Sequence, residues 1–387
     1  MAATATQLVQ PALVSELPSK EQAAVTITEL QPTTFTQRAL VVNHERKYEL
    51  RQDFATPAYL ADHEVKIRTC AVGLNQIDYK SVDYNFCLPQ LPWITGREMA
   101  GVVEEVGAGV AHLHPGQRVW TSTYYRDRRA GCFQDYVIVP QHTVSAMPEA
   151  MSYTDGACLG VCGLTAAMTL WRWFEVPLPY GDATSDMMTP PTTPPCKPVD
   201  AAATTPALLI WGGSSVTGQF LTQLARRAGL RVVCVSSAKT APMLLDLGAA
   251  HVVARDGKTE DEIVAEVQRY AGDDVTMGVD LVGAKTALAT LRCLSATRSA
   301  RFAPLAWAPK VEVADNIEVL NVEMKQFVLN PASAVYSDQL TRLVEAGEIR
   351  LPEIEVLSGG LDVVEKGLDR LKRGDMAGKK LIVDMLN

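Results

Sequence analysis

The chain has 387 residues, which is long enough for two domains that each bury a hydrophobic core. Its 44 acidic and 36 basic residues give a formal charge of −8, so we expect no nucleic acid among its partners. The first basic residue is Lys20, and the longest uncharged apolar-leaning run, 156–171, is too short and too rich in Gly and Thr to span a bilayer. We therefore expect neither a signal peptide nor a membrane partner.

The eight cysteines are scattered along the chain, most of them within apolar runs. This distribution is typical of free, buried thiols in a reducing compartment, so we expect a cytoplasmic protein. Cys158 and Cys162 are four residues apart, and we interpret both as core residues.

Composition divides the first half of the chain. Residues 1–34 are rich in Ala, Thr, Gln and Pro without periodicity, which predicts a flexible N-terminal arm. The block 37–150 is rich in Val and Gly with regular turns and is predicted to be mostly β. Residues 176–206 hold many prolines, including Pro190-Pro191 and Pro194-Pro195, which predicts a surface insertion.

The most informative motif follows that insertion. An apolar run at 207–211 predicts a buried strand, the small residues of 212–218 predict a tight turn, and helical spacing of apolar residues follows. A strand, a Gly-rich turn and a helix form the first unit of a dinucleotide-binding fold, in which the turn presents backbone N–H groups to a pyrophosphate. The predicted cofactor-binding residues of this turn are Gly213, Ser214, Ser215, Val216 and Thr217.

The residues after this motif alternate between predicted strands and helices. The predicted strands are 231–236, 251–254, 277–282 and 301–305, and the predicted helices are 241–247, 259–270 and 285–294. This alternation predicts an α/β fold with a parallel sheet that helices cover on both faces. An α/β domain that binds no nucleotide is the alternative.

The end of the second predicted strand bears on cofactor choice. It reads Ser236-Ser237-Ala238-Lys239, without the acid that would bind the ribose hydroxyls of NAD. Hydroxyl groups and an ammonium suit a 2′-phosphate, and Arg255 at the end of the third strand is a further candidate. We therefore predict that NADPH is bound by Ser236, Ser237, Lys239 and Arg255; the alternative is that the two cations are solvated surface residues.

Several segments, in this order, resemble the medium-chain dehydrogenase/reductase superfamily. They are 73–80 (GLNQIDYK), 96–107 (GREMAGVVEEVG), 115–119 (PGQRV), 163–166 (GLTA) and 378–383 (GKKLIV). The resemblance covers about residues 37–387 and implies a GroES-like β-rich domain joined to a Rossmann domain with a doubly wound parallel sheet. It places a GroES-like catalytic domain at 35–160, an NADPH-binding domain at 161–330, and a return to the catalytic domain at 331–387.

The sequence departs from the zinc alcohol dehydrogenases of that superfamily. Asn75 and Arg97 stand where those enzymes have a Cys and a His as zinc ligands, and a guanidinium stays protonated and cannot ligate a metal. No Cys-x-x-Cys pair is present to hold a structural zinc. We therefore predict no metal site and expect the zinc-independent branch of quinone and enoyl reductases. The Pro-rich insertion resembles that of fungal trans-acting enoyl reductases of polyketide biosynthesis.

The resemblance implies NADPH-dependent reduction of a carbon–carbon double bond conjugated to a carbonyl. The substrate is then a small enone or an acyl thioester, free or carried by a polyketide synthase, and the enzyme a monomer or a homodimer. Lys80 resembles the lysine that approaches the substrate, Thr165 the threonine near the nicotinamide, and Tyr79 or Tyr84 could donate a proton. Each also has an ordinary structural interpretation, as surface, capping or packing residue.

Two other functions remain open from the sequence. One is a quinone or alkenal reductase of detoxification, and the other is a non-catalytic nucleotide-binding relative. The segment 294–300, before the fifth strand of the nucleotide domain, lacks the glycines usual in the family. We expect the backbone on the nicotinamide side to be arranged differently there, which keeps the non-catalytic alternative open.

Overall fold

The computed structural model describes residues 34–124, 126–181, 206–308, 310–374 and 376–386. The predicted N-terminal arm lies outside the described residues except for Thr34, and most of the Pro-rich segment also lies outside them. Within the described residues the strands are β1 (Thr34–Val42), β2 (Tyr48–Pro57), β3 (Glu64–Gly73), β4 (Trp93–Ile94), β5 (Glu98–Val106), β6 (Arg118–Ser122), β7 (Tyr136–Pro140), β8 (Val144–Ala146), β9 (Ala207–Trp211), β10 (Arg231–Ser236), β11 (His251–Ala254), β12 (Val275–Asp280), β13 (Ala300–Pro304), β14 (Ile317–Val319), β15 (Ile354–Ser358) and β16 (Lys380–Asp384).

The helices of the same residues fall mainly between the strands of the second half of the chain. They are α1 (Gln76–Asp83), α2 (Tyr153–Gly156), α3 (Leu164–Met168), α4 (Val216–Arg227), α5 (Ala241–Leu247), α6 (Glu260–Ala271), α7 (Ala284–Cys293), α8 (Lys325–Leu329), α9 (Ala334–Glu345) and α10 (Val364–Arg373). A π-helical turn flanks α3 on each side, at Leu159–Gly163 and Thr169–Trp173. None of the described helices is long and apolar enough to cross a membrane.

The nucleotide domain is built on a six-stranded sheet in the order β11-β10-β9-β12-β13-β14. All its strand pairs are parallel, so the sheet has the doubly wound order of a Rossmann fold, and the predicted fold class is confirmed. The strand order reverses between β9 and β12. A crevice opens outside the carboxyl ends of the strands at such a switch point, and the turn that follows β9 lies there.

Alternating side chains of β9 explain why this strand is wholly apolar. Leu208 and Ile210 pack into one core with α4 and α9, whereas Leu209 and Trp211 pack into a second core with α6 and α7. A strand covered on both faces reads as a continuous apolar run because successive side chains point to opposite faces.

Local signals set the ends of two helices as predicted. Thr259 caps α6, since its hydroxyl accepts from Glu262 N while Glu262 accepts from Thr259 N at 2.7 Å. Gly248 ends α5 with φ +105°, in the left-handed region that favours glycine.

The remaining strands form two further sheets, in which most strand pairs are antiparallel. A seven-stranded sheet has the order β15-β16-β3-β5-β6-β8, with β7 also paired to β3, and β2-β1-β4 form a smaller sheet. The last strand, β16, runs antiparallel to β3 and pairs Ile382 with Gly73. This pairing brings the carboxyl-terminal strand beside the loop that leads from β3 to α1.

The segment 294–300 does not lie where the sequence analysis expected. It connects α7 to the amino end of β13, and Ser295 N donates to Val275 O at the amino end of β12. In a parallel sheet the amino ends lie opposite the carboxyl-edge crevice that binds nucleotides. The expectation of an altered nicotinamide side is therefore wrong: Asp273 holds this segment, accepting from Ser295 Oγ and Ala296 N at 2.7 and 2.8 Å.

Candidate active site

The Gly-rich turn lies at the carboxyl end of the central strand β9 and leads directly into α4. Gly212 has φ +89°, and Ser215 caps the helix by accepting from Gly218 N at 3.1 Å. A Cβ at Gly213 would lie 2.8 Å from Cys234 Cβ, and one at Gly218 would lie 2.4 Å from Gly213 O. Turn, strand and helix therefore pack closely here, and side chains at these two positions would force them apart.

The end of β10 carries a small cluster of hydroxyl groups. Ser236 Oγ and Ser237 Oγ lie 2.7 and 2.9 Å from Thr240 Oγ1. Lys239 and Arg255 are exposed, and neither forms an ion pair with a described residue. These two cations are therefore available to an anionic ligand at the carboxyl edge of the sheet.

A buried polar network fills the position between β3, β5 and β16. Lys380 Nζ donates to Leu74 O at 3.1 Å, to Asn75 Oδ1 at 2.8 Å and to Glu98 Oε1. Glu98 also accepts from Asn75 Nδ2 at 2.8 Å and from Val161 N, in the first π-helical turn, at 2.6 Å. The network thus joins the carboxyl-terminal strand, the loop before α1 and the segment that leads into α3.

This ion pair is almost fully removed from water. The side chains of Lys380 and Glu98 are 2% and 0% exposed. Burial acts to lower the pKa of Lys380, but the hydrogen-bonded Glu98 carboxylate outweighs that effect and raises it. Lys380 is therefore a permanent cation, and each of its three protons has an acceptor.

The donor set at this site does not fit a zinc ion. Asn75 offers an amide oxygen that already accepts from the Lys380 ammonium, and the side chain of Arg97 is a cation itself. Among the described residues, no group of three or more His, Cys, Asp or Glu side chains could hold a metal. We derive no step through a metal.

Two contacts connect this network to the Gly-rich turn. Cys162 Sγ lies 3.5 Å from Asn75 Oδ1, and the Thr217 side chain is close enough to the same thiol to act on its pKa. Gln219 Nε2 donates to Ser214 O at 2.9 Å and to Gly378 O at 2.6 Å, two residues before Lys380. The nucleotide turn and the catalytic domain therefore meet at defined atoms.

Cys162 is more than the core residue predicted. Cys158 is fully buried as expected, whereas Cys162 is partly exposed and faces Asn75 and Thr217. Burial raises the pKa of the Cys162 thiol, so it is protonated near neutral pH. The π-helical turn around it is a local irregularity of a kind that often occurs at functional sites.

Asp78 fixes the loop that presents Asn75. Its Oδ2 accepts from Asn75 N at 2.9 Å, and it lies at the third position of α1, where a capping carboxylate belongs. The side chain is wholly buried, and its Oδ1 has no hydrogen-bond partner among the described residues. Burial raises the pKa of Asp78 to about 7.

The three residues of α1 and its C-terminal end that are predicted to donate a proton differ in burial and in hydrogen-bond partners. Lys80 is half-buried, donates to Gln76 Oε1 at 2.8 Å and has no carboxylate partner among the described residues; burial lowers its pKa. Tyr79 packs against the core of the β-rich domain, and burial raises its pKa. Tyr84 is 71% exposed. Of the three, Lys80 has the surroundings best suited to giving up a proton.

Thr165 lies in the second turn of the helical segment that begins at Leu159. It is partly exposed, and its hydroxyl makes no hydrogen bond to a described residue, so it is free to contact a ligand. No hydrogen bond between described residues joins Thr165 to Lys80. That the two act together in catalysis stays a prediction.

Sequence reasoning missed three parts of this site. In the sequence analysis, Lys380 and Glu98 appear only within the family motifs, and Cys162 is interpreted as a core residue. An apolar strand that begins with lysine and an isolated glutamate at the start of another strand were the available signals. Their pairing requires contact between positions 282 apart in the chain, which spacing alone does not reveal.

Together, a Rossmann sheet with a Gly-rich turn and a β-rich domain joined to that turn define a nicotinamide-dependent oxidoreductase. Two family models match the chain, the alcohol dehydrogenase GroES-like domain at residues 61–149 and the zinc-binding dehydrogenase at 217–337. The trans-enoyl reductase tndF of Aspergillus flavipes is 30% identical over 338 residues, covering 83% of this chain and 91% of its own. The chain belongs to the medium-chain dehydrogenase/reductase superfamily, with trans-enoyl reductases among its relatives.

Two further comparisons agree with that assignment. Dehydrogenase orsE of Emericella nidulans is 29% identical over 339 residues, covering 83% of this chain and 92% of its own. The quinone oxidoreductase of Escherichia coli, solved in complex with NADPH, has a TM-score of 0.68 at 19% identity and covers 91% of this chain and all of its own. That similarity concerns the fold alone.

Proposed function

We propose that this enzyme uses NADPH to reduce a carbon–carbon double bond conjugated to a carbonyl, as a trans-acting enoyl reductase of polyketide biosynthesis. The observation that carries the proposal is the hydrogen bond from Lys380 Nζ to Asn75 Oδ1, at 2.8 Å. Asn75 stands where the resemblance to alcohol dehydrogenases would place a zinc ligand, and its side-chain oxygen instead accepts a hydrogen bond from an internal cation. A conjugated acceptor is already electrophilic and needs no Lewis acid, whereas a Lewis acid accelerates alcohol oxidation by lowering the pKa of the alcohol.

The cofactor would be held at the carboxyl edge of the sheet. The turn from Gly213 to Thr217 offers its backbone N–H groups to the pyrophosphate, at the positive end of the 12-residue helix α4. Ser236, Ser237, Lys239 and Arg255 would receive the 2′-phosphate. When bound, NADPH supplies a hydride to the β-carbon of the acceptor.

The chain's own residues would orient the acceptor and handle charge and proton. Lys80 would face the developing enolate, because an ammonium can stabilise that charge and then give a proton to the α-carbon. Its pKa is lowered by burial, which makes it a stronger acid than a solvated lysine. Thr165 would position the nicotinamide, and Tyr79 or Tyr84 would donate the proton only if Lys80 does not.

The Lys380 network would keep the Asn75 loop in register with the nucleotide turn. Asn75 is held by Lys380, Glu98 and Asp78, while Cys162 lies between Asn75 and Thr217. A site that must align two reactants gains rate from such fixed geometry. We assign the network this positioning role and no chemical step.

Isotope labelling tests the reaction directly. Purified enzyme is given NADPH deuterated at C4 together with an α,β-unsaturated thioester, and the product is analysed by NMR. We expect deuterium from the cofactor at the β-carbon and, in deuterated water, a second deuterium at the α-carbon. A panel with simple alcohols, quinones and alkenals is the control: fast alcohol oxidation by NADP would refute the proposal, and activity with quinones alone would replace it with a quinone reductase.

The same assay separates free from carried substrates. The thioester is offered once on a small pantetheine-like thiol and once on an acyl carrier domain of a polyketide synthase. A clear preference for the carrier-bound form is expected of a trans-acting enzyme. Equal rates with both forms would indicate a free small-molecule substrate.

A further inference from the structure

One carboxylate reaches the end of β10 from outside that strand. Ala238 N donates to Asp256 Oδ2 at 2.5 Å, although Asp256 belongs to the loop after β11. The sequence analysis found no acid at the end of the second strand, and the fold supplies one from the third. The carboxyl end of β10 is where the adenosine ribose of a dinucleotide binds in this type of sheet.

The loop that carries Asp256 is anchored to β10. Arg255 N donates to Ser236 O at 2.8 Å, and Lys258 N donates to Arg255 O at 3.1 Å. Gly257 has φ +71°, which allows the tight turn between them. The hydrogen bond of Asp256 to Ala238 is therefore a feature of an ordered loop.

Charged side chains of both signs surround the Ala238 amide. Lys239 directly follows Ala238, and Arg255 directly precedes Asp256. Both side chains are exposed, and neither forms an ion pair with a described residue. Asp256 is itself exposed, and its carboxylate accepts from the Ala238 amide. A cofactor phosphate and the Asp256 carboxylate are both anionic acceptors, and they repel each other when they share one donor.

We propose that Asp256 is a specificity-determining residue that competes with the 2′-phosphate of NADPH for the Ala238 amide. NADPH binding requires the carboxylate to leave this amide, whereas NADH binding leaves it in place. Asp256 therefore lowers the preference for NADPH below the level that Lys239 and Arg255 would otherwise produce. The inference rests on the proposed function only in taking the cofactor to be NADPH.

Binding of fragments tests the competition without turnover. Asp256→Asn removes the charge and keeps the shape, and calorimetry gives the affinities for 2′,5′-ADP, 5′-AMP, NADPH and NADH. We expect about tenfold tighter binding of 2′,5′-ADP and NADPH, because a neutral amide oxygen accepts from Ala238 N less strongly than a carboxylate and does not repel the phosphate. The affinities for 5′-AMP and NADH should change by less than about twofold. Glu260→Gln, which removes an exposed acid four residues further on, is the matched control and should change neither class by more than about twofold at physiological salt.

Two results would overturn the inference. Unchanged affinity of Asp256→Asn for 2′,5′-ADP would mean that the carboxylate does not compete with the phosphate. Weaker binding of NADH and 5′-AMP, with unchanged NADPH binding, would make Asp256 a ligand of the ribose hydroxyls instead. Absence of enoyl reduction with the expected fragment affinities would refute the proposed reaction and leave this inference intact.

Discussion

Lys380→Met should destabilise the protein far more than the same substitution at the adjacent residue, Lys379→Met. Lys380→Met leaves the Glu98 carboxylate buried, with only Asn75 Nδ2 and Val161 N as donors. Breaking one half of a buried ion pair costs about 3–5 kcal/mol, because the remaining charge is uncompensated. With an unfolding entropy of roughly 2.1 cal/mol/K per residue over 387 residues, the expected fall in melting temperature is on the order of 4–6 °C.

The adjacent residue provides a matched control. Lys379 pairs with Glu353 at the surface, where the two side chains are 37% and 69% exposed. Such a pair contributes about 0–1 kcal/mol, so Lys379→Met should change the melting temperature by no more than about 1 °C. The two variants remove the same group from neighbouring positions and differ in burial.

A double substitution distinguishes a lost charge partner from a general packing defect. In Lys380→Met combined with Glu98→Gln, the amide oxygen can still accept from Val161 N while the buried charge is gone. The double variant should recover at least half of the stability that Lys380→Met loses, as measured by denaturant unfolding at constant pH. Equal stability of Lys380→Met and Lys379→Met would refute the reasoning, and so would a double variant as unstable as the sum of the single ones.

The remaining predictions address proton transfer, cofactor binding and pH. Lys80→Met should lower kcat at least tenfold with little change in the Kd of NADPH, measured by steady-state kinetics and fluorescence titration; unchanged kcat would transfer the proton role to a tyrosine or solvent. Lys239→Ala and Arg255→Ala should each weaken NADPH binding about ten- to a hundredfold and leave NADH binding nearly unchanged, and equal wild-type affinity for the two cofactors would contradict this. Because burial raises the pKa of Asp78 from 3.8 to about 7, the folded state binds the proton more tightly than the unfolded chain. The contribution of Asp78 to stability therefore falls as pH rises from about 4 to 7, by roughly 4 kcal/mol, and Asp78→Asn should flatten that slope in unfolding titrations between pH 4 and 8.

Most of the nucleotide domain could be predicted because its signals are local. The predicted strands 207–211, 231–236 and 251–254 agree with β9, β10 and β11. Thr259 caps the start of α6, and Gly248 ends α5. Apolar runs, caps and glycines act within a few residues of where they occur, so they can be read without knowledge of the fold. The close packing of Gly213 and Gly218 follows from the same local geometry.

The sequence by itself determined the alternating sheet and the Gly-rich turn, and it puts Asn75 and Arg97 where the family resemblance would place zinc ligands. Only the tertiary structure decided what surrounds them. It placed Lys380 against Asn75 and Glu98, brought Asp256 to the end of β10, and moved the segment 294–300 away from the cofactor edge. These outcomes depend on strand order and on pairing between distant parts of the chain, and side chains that meet across such pairings leave no periodic signal in the sequence.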